Sequence, residues 1–130
     1  MVDNSATSNL VYVYDLEDGW IEARLIEQNG ADAQVEVDVD GSKQMCTVDL
    51  KQYPEQVLPL QNVDENGKLT TVEDMVDLPY LHEAAILYNL KDRHLRCLPY
   101  TRTGDICIAV NPYMVRTYCD RWLQNCSFII

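Results

Sequence analysis

Apolar and polar residues alternate through the first half of the chain, from Leu10 to Leu50. A period of two is the spacing at which one face of a β-strand is buried. The alternation predicts four strands. Their inward-facing residues are expected to be Val11, Val13, Ile21, Ala23, Leu25, Val35, Val37, Val39, Cys46, Val48 and Leu50.

Short turn signals separate these strands, and each contains a glycine, which tolerates a positive φ. They are Asp18-Gly19, Asn29-Gly30 and Asp40-Gly41. The last is the strongest hairpin signal because alternating residues flank it closely. Short strands at this spacing predict a small antiparallel SH3-like β-barrel over residues 10–60, with a fifth strand near Val57-Leu58 and a flexible N-terminus over residues 1–9.

The second half of the chain has a different pattern. Residues 61–78 predict a linker with a short helical turn, and residues 79–95 predict an α-helix that begins near Pro79 and has apolar residues on two sides. Residues 105–110 predict a strand that is apolar on both faces and therefore lies inside a covered sheet. The predicted fold class is mainly β with α.

Charge and composition narrow the functional classes. The net charge is −11, and residues 1–69 carry 14 acidic and 4 basic side chains. Such a surface repels nucleic acid and anionic lipid. No apolar run approaches the roughly 20 residues of a membrane span, and no signal peptide is visible, so we expect a cytoplasmic protein without membrane insertion.

The sequence predicts no metal site. The five cysteines are irregularly spaced and form no CxxC pair. His82-Glu83 begins like a zinc-binding HExxH helix, but position 86, where the second histidine is needed, is isoleucine.

Two stretches of the second half carry a family resemblance. These are "VEDMVDLPYLHEAAILYNLKDRH" (residues 72–94) and "LPYTRTGDICIAVNPY" (residues 98–113). Together they resemble the start of the myosin motor domain, which many myosins precede with an SH3-like subdomain. The resemblance covers about residues 10–113, of which 79–113 form the start of the motor-like domain, and it leaves residues 114–130 as a divergent tail.

The resemblance implies a cytoskeletal, ATP-driven actin motor as the parent protein. In this family an Asn-Pro pair at the end of the strand opens the loop that lies against the adenine of ATP. Asn111, Pro112 and Tyr113 match that opening, whereas Tyr118 falls one residue short of the tyrosine in the family pattern.

The residues that would contact phosphate are missing from this sequence. No GxxxxGK(S/T) phosphate-binding loop occurs in it, and the family's magnesium-binding and switch segments lie further downstream. We therefore expect no catalytic residue, no cofactor and no ATP hydrolysis for the chain itself. Mg-ATP, actin and a light chain are expected only for the intact parent, and the fragment's own partner would be the rest of the motor.

The short tail leaves three origins open: a truncated or mis-spliced product, a boundary introduced by a gene model or by cloning, or a genuine short protein. A different function also remains open, that of a stand-alone SH3-like module that binds a peptide or a regulatory partner. Four aromatic residues are candidates to line a polyproline groove whose acidic surroundings favour basic-flanked ligands, unless they are partly buried barrel residues. They are Tyr12, Tyr14, Trp20 and Tyr53.

Overall fold

The computed structural model describes residues 9–110 and 128–129. The chain divides into two compact units, one up to Leu69 and one from Thr70 onward.

The first unit is an antiparallel sheet of four strands in the order β1-β2-β3-β4. The strands are β1 (Leu10–Asp15), β2 (Gly19–Asn29), β3 (Asp32–Val39) and β4 (Ser42–Asp49). Two 3₁₀ turns follow, at Leu50–Gln52 and Pro54–Gln56. This arrangement confirms the predicted mainly β, SH3-like class.

The turn between β3 and β4 shows why the sequence signal there was strong. Val39 pairs with Ser42, so only Asp40 and Gly41 form the loop. Both have positive φ, 52° and 80°, as a type I′ turn requires. This turn follows the right-handed twist of the two strands, which fixes their register.

The far edge of β1 pairs with the segment that follows the 3₁₀ turns. Val11 and Leu60 form an antiparallel bridge, in which Tyr12 N–H donates to Pro59 O at 2.8 Å and Gln61 N–H donates to Leu10 O at 2.9 Å. The fifth strand position is thus occupied by Leu60, slightly later than the sequence pattern predicted. We call this segment, residues 59–61, the clasp.

The core of the first unit lies on the inward face of the sheet. Its buried members are Val11, Val13, Ala23, Ala33, Val35, Val37, Leu50, Tyr53 and Leu58. Two residues predicted to face inward are not covered, since Val39 is 42% exposed and Cys46 is exposed. Val39 lies next to the β3–β4 turn, and Cys46 lies in β4, the last strand of the sheet. The alternation fixes the face on which a side chain lies but not how far the core extends across it.

The second unit begins with a 3₁₀ turn at Met75–Asp77. It continues with helix α1 (Glu83–Leu95) and strands β5 (Tyr100–Thr103), β6 (Ile106–Ala109) and β7 (Phe128–Ile129). Strand β6 pairs antiparallel with β5 and parallel with β7. The apolar cluster is small: Met75, Leu78 and Ala85 are buried, and Val72, Ile86, Leu90 and Ile108 pack against them.

Helix α1 begins later than Pro79, where the sequence pattern placed its start. His82 is the N-cap residue, with extended backbone angles (φ −149°, ψ 171°), and its Nδ1 accepts a hydrogen bond from Ala85 N–H at 3.1 Å. An imidazole acceptor thus takes the capping role that Ser, Thr, Asp or Asn usually fills. The helix also does not bury both apolar sides within the described part of the chain, because Leu87 is 48% exposed.

Within the residues that the structure describes, none of the helices has the length and apolarity needed to cross a bilayer.

Gln61 provides a test of the clasp. Its Nε2 donates to Val11 O at 2.6 Å and to Ala23 O at 3.2 Å, and the residue is 5% exposed. We expect Gln61→Leu to lower the free energy of unfolding by about 1–3 kcal/mol, because buried carbonyl oxygens lose a donor. Urea unfolding of the 130-residue chain measures this. The matched control is Gln28→Leu on the exposed side of β2, and an equal loss in both variants would contradict the role of the Gln61 amide.

Candidate functional site

The candidate site is the set of hydrogen bonds that holds the end of strand β6 in place. The residues predicted to lie against adenine fall outside the described part of the chain; they are Asn111, Pro112, Tyr113 and Tyr118. The residue before them, Val110, donates its N–H to Pro99 O at 2.8 Å. This bond extends the β5–β6 pairing by one step and fixes the point from which the predicted loop departs.

Asn89 joins helix α1 to the extended segment before the 3₁₀ turn. Its Oδ1 accepts from Val72 N–H at 2.7 Å, and its Nδ2 donates to Val72 O at 3.0 Å. Asn89 is only 1% exposed. A side-chain amide thus offers Val72 the same donor and acceptor that a neighbouring strand would offer, which satisfies both backbone groups.

Arg93, one helical turn further on, joins the same helix to strand β5. Its Nε donates to Thr101 Oγ1 at 3.0 Å, and one terminal nitrogen donates to Tyr100 O at 2.9 Å. Arg93 is 8% exposed and Thr101 is 2% exposed. No carboxylate of residues 9–110 forms an ion pair with Arg93. Its charge is therefore held by neutral oxygen acceptors, and the planar guanidinium fixes the direction of both bonds.

Asp74 joins the 3₁₀ turn to the connection between β5 and β6. Its Oδ1 accepts from Gly104 N–H at 3.0 Å and from Val76 N–H at 3.2 Å. Beside it, Arg102 N–H donates to Glu73 O at 2.9 Å. The bond from Gly104, then that from Val76 and the nearby Arg102 charge, hold the pKa of Asp74 below its ordinary value of 3.8, although partial desolvation acts in the opposite direction.

Asp92 adds a third contact from the helix. Its Oδ2 accepts from Thr71 Oγ1–H at 3.0 Å and lies 3.0 Å from Arg96 Nε. The Thr71 contact lies next to the Val72 pairing with Asn89. Two successive residues of the extended segment are therefore tied to α1.

The residues on which the family resemblance rests form one connected frame. Asp74, Asn89, Arg93, Thr101 and Gly104 all belong to those stretches, and each makes one of the contacts above. They act on backbone and on one another rather than on a common cavity. The motif is therefore a structural device that fixes the path of β5 and β6.

Sequence reasoning missed the buried roles of Asn89 and Arg93. A signal was present, because these polar residues follow Ala85 at intervals of four and so extend the buried stripe of the helix. A polar residue inside such a stripe must find a partner, since burial without one costs free energy. The partners themselves, Val72 and Thr101, cannot be identified from helical spacing.

The four barrel aromatics do not share one environment. Tyr12 is 2% exposed and so offers no open surface for a ligand, which corrects its place in the predicted groove. Tyr14 is 56% exposed, and its ring lies 5.3 Å from that of Trp20. Trp20 lies in turn 6.2 Å from the ring of Tyr53, a core residue. Three of the four are therefore in contact.

Within residues 9–110 and 128–129 no three His, Cys, Asp or Glu side chains gather closely enough to hold a metal ion.

Comparison with known proteins extends the resemblance. The family model described as "Myosin head (motor domain)" matches residues 72–126, beyond Tyr113, where the sequence pattern indicated that similarity ends. The match includes the whole frame and the predicted adenine-loop residues.

Several relatives with similar sequences carry myosin names. Myosin-13 of Arabidopsis thaliana is 37% identical over 105 residues, which is 81% of this chain, and Myosin-8 of the same plant is 36% identical over 85% of it. Myosin-H heavy chain of Dictyostelium discoideum is 33% identical over 93% of this chain. The chain spans only 6% of the length of Myosin-13 and 7% of the other two.

Asn89→Asp tests the pairing with Val72. The carboxylate keeps the acceptor but loses the Nδ2 donor and places an anion beside Val72 O, so we expect a loss of about 1–3 kcal/mol in local stability. Amide hydrogen exchange at Val72 in the 130-residue chain measures this loss directly. Asn66→Asp, in the exposed loop before Gly67, makes the same chemical change away from the frame. Unchanged protection at Val72 in the Asn89 variant would contradict the pairing.

Asp74→Asn tests whether the charge of Asp74 strengthens its hydrogen bond from Gly104 N–H. Because the pKa of Asp74 is lower than 3.8 in the folded state, its contribution to stability is present above pH 3.8 and is lost as the pH falls through the folded value. The variant should therefore be less stable than wild type at neutral pH, with a smaller difference at about pH 3. Urea unfolding at both pH values measures the difference.

The control for this pH effect is Asp77→Asn, which removes one charge from the same 3₁₀ turn. The stability difference between wild type and Asp77→Asn should not become smaller in acid as the difference for Asp74→Asn does. If wild type is more stable than Asp74→Asn by the same amount at both pH values, the charge of Asp74 does not contribute to the stability of the frame.

Proposed function

This chain belongs to the myosin family, and we propose that it forms the N-terminal part of the motor of an ATP-driven, actin-based myosin. In this role it supplies an SH3-like subdomain and the first helix and strands of the motor. Its own contribution is structural: it holds the start of the adenine-side loop and offers surfaces to the rest of the motor.

The observation that carries this proposal is the frame around β6. Asn89 and Arg93 tie the helix to the segments on either side of it, and the bond from Val110 to Pro99 closes the hairpin immediately before Asn111. A nucleotide loop needs a fixed point of departure, because loose positioning weakens every contact that the loop makes. This frame supports a role for Asn111, Pro112 and Tyr113 on the adenine side.

Exposed apolar side chains of the second unit support a role within a larger motor. Tyr80 is 46% exposed, Leu81 53%, Leu87 48% and Leu95 72%. Exposed apolar side chains of this size, two just before helix α1 and two within it, are typical of a surface that another part of a protein covers. The rest of the motor is the partner that we propose for them.

The ATP chemistry of the proposed motor requires groups beyond those of this sequence. Mg-ATP would supply the phosphate charges, and no GxxxxGK(S/T) loop is present here to hold them. The part played by this chain is to orient the adenine side of the pocket. Tyr118 joins that proposal only if the loop accommodates its shift of one residue.

A stand-alone peptide-binding module is the less favoured interpretation. It accounts for the barrel but not for the match of residues 72–126 to the myosin motor domain.

An antibody raised against the 130-residue chain tests the proposal in extracts of the source cells. We expect it to detect a protein of heavy-chain size that sediments with filamentous actin and is released by Mg-ATP, because the parent is an actin motor. Actin-free sedimentation and antibody blocked with the chain are the controls. Detection of only a species of this chain's own mass, which stays in the supernatant with and without Mg-ATP, would contradict the proposal.

A further inference from the structure

Strand β4 forms an edge of the barrel sheet that no described segment covers. The opposite edge, β1, is paired with the clasp, whereas no strand, bridge or turn among the described residues pairs with the outer side of β4. We propose that this edge pairs with the same edge of a second copy of the chain, antiparallel and about a two-fold axis at Cys46. The inference does not depend on the proposed motor function.

Alternate residues of β4 direct their backbone groups toward the open edge. In an antiparallel strand, the N–H and C=O groups of successive residues point to opposite sides. Leu50 N–H, immediately after β4, donates to Ala31 O at 2.7 Å on the β3 side, so the even-numbered residues of this stretch bond toward β3. The residues whose backbone donors and acceptors face the open edge are therefore Lys43, Met45, Thr47 and Asp49.

Strand β4 lacks the features that usually prevent pairing at an edge. Proteins commonly block an open edge with a short strand, a proline, a bulge or central charges. The strand runs for eight residues, Ser42–Asp49, without proline, and it keeps one register with β3 throughout, whereas the β2–β3 pairing shifts between Leu25 and Glu27. Residues 44–48 carry no charge. A regular edge of this kind accepts a further strand.

Both faces of β4 leave apolar atoms exposed. Met45 is 56% exposed on one face. On the other face Cys46 is exposed, although its partner in β3, Val35, is completely buried. A further strand next to β4 would cover part of these side chains and extend the core across the sheet.

The charges of β4 select a second copy of the chain as the occupant. Lys43 and Asp49 are the charged residues of the strand, and each lies three positions from Cys46. An antiparallel pair centred on Cys46 therefore places Lys43 of each copy opposite Asp49 of the other. With the axis one residue earlier, neither charge would meet its opposite, and with the axis one residue later, Lys43 would face Lys51. Complementary charge thus specifies both the partner and the register.

A second observation points to a lysine beside Asp49. Within the chain, Asp49 pairs with Asp32 of β3, so two carboxylates lie opposite each other. Neither forms an ion pair within the described residues. Lys43 of the second copy would lie next to Asp49 and offset this repulsion. Its side chain is 69% exposed, with Nζ 3.3 Å from Glu36 Oε1 of its own chain, and so remains accessible to a partner.

The net charge of the chain limits the strength of this contact. Two copies of net charge −11 repel each other at long range, although β4 itself is neutral. At about 0.15 M salt the Debye length is about 8 Å, so contacts at the edge itself decide whether the strands pair. The contact is also smaller than a standard protein interface, and we expect a weak dimer with a dissociation constant on the order of 0.1 mM.

The first test uses the unmodified 130-residue chain. Sedimentation velocity between about 0.01 and 1 mM should show a monomer–dimer equilibrium. Hydrogen exchange at Met45 and Thr47 should slow as the concentration rises, whereas exchange at Gln44 and Cys46, whose N–H groups already bond to β3, should not change. A chain that stays monomeric, or that dimerises without slower exchange at Met45 and Thr47, overturns the proposal.

Charge-reversed variants test the register. Lys43→Glu and Asp49→Lys should each weaken self-association at least about tenfold, because like charges then face each other twice in every dimer. An equimolar mixture of the two variants should dimerise about as well as wild type. In the mixed dimer the introduced glutamate faces the introduced lysine, and the native Lys43 faces the native Asp49. Lys68→Glu and Asp18→Lys make the same charge changes away from β4 and should change self-association little.

The outcomes of the mixing experiment are exclusive once the amide signals of the core strands confirm that both variants fold. Recovery of the dimer only in the mixture supports the two-fold pairing of β4. A mixture that stays monomeric overturns the register and with it the proposal. Dimerisation that persists in each variant alone identifies another surface, such as the exposed apolar side chains before and within α1, and also overturns the proposal.

Cys46 reports the two-fold axis without a change of charge. In this register the two Cys46 residues form a non-hydrogen-bonded pair with Cα atoms about 4.5 Å apart, which is within the range of a disulfide. Oxidised glutathione should convert the two thiols into one intermolecular disulfide and leave as two molecules of reduced glutathione. Mass spectrometry of the linked peptides identifies the bond, and Cys46→Ser should dimerise without it. Intermolecular disulfides that form only at other cysteines overturn the assignment.

Discussion

The second unit depends on one side-chain amide that takes the place of a strand. Asn89 gives Val72 both an acceptor and a donor, in a position where the structure describes no neighbouring strand. The apolar cluster of this unit has only three buried members among the described residues, Met75, Leu78 and Ala85, so packing alone provides little to hold the segment against the helix. With this pairing in place, Asp74 lies where it can accept from Gly104, and the hairpin that ends at Val110 has a fixed origin.

The two units are stabilised in different ways. The first buries valine and alanine side chains of β1, β2 and β3 together with Leu50, Tyr53 and Leu58, so its stability comes mainly from apolar area removed from water. The second uses Asn89, Arg93 and Asp74, whose bonds are directional. Apolar cores tolerate exchange of similar side chains, whereas a buried polar contact fails when one partner is lost. This difference explains why the second unit carries the more recognisable sequence pattern.

Features that depend on adjacent residues could be predicted from the sequence, whereas features that depend on contacts across the fold could not. Local rules were sufficient for the strands of the barrel and for the Asp40-Gly41 turn, where period and backbone angles depend on adjacent residues. They were insufficient for the exposed Cys46, because coverage depends on what lies across the core. They also placed the start of α1 too early, since a histidine N-cap has no simple sequence signature. The contacts of Arg93 join residues whose approach only the folded chain defines.

The clasp also sets the order in which the barrel can form during synthesis. Strands β1 to β4 pair with their neighbours in sequence, so those hairpins can form as soon as each strand leaves the ribosome. The free edge of β1, however, receives Pro59 and Gln61 only after about fifty further residues have been made. Until then Leu10 and Tyr12 keep an unpaired edge, to which a chaperone or another nascent chain has access. The barrel can therefore be completed only after Gln61 has left the ribosome.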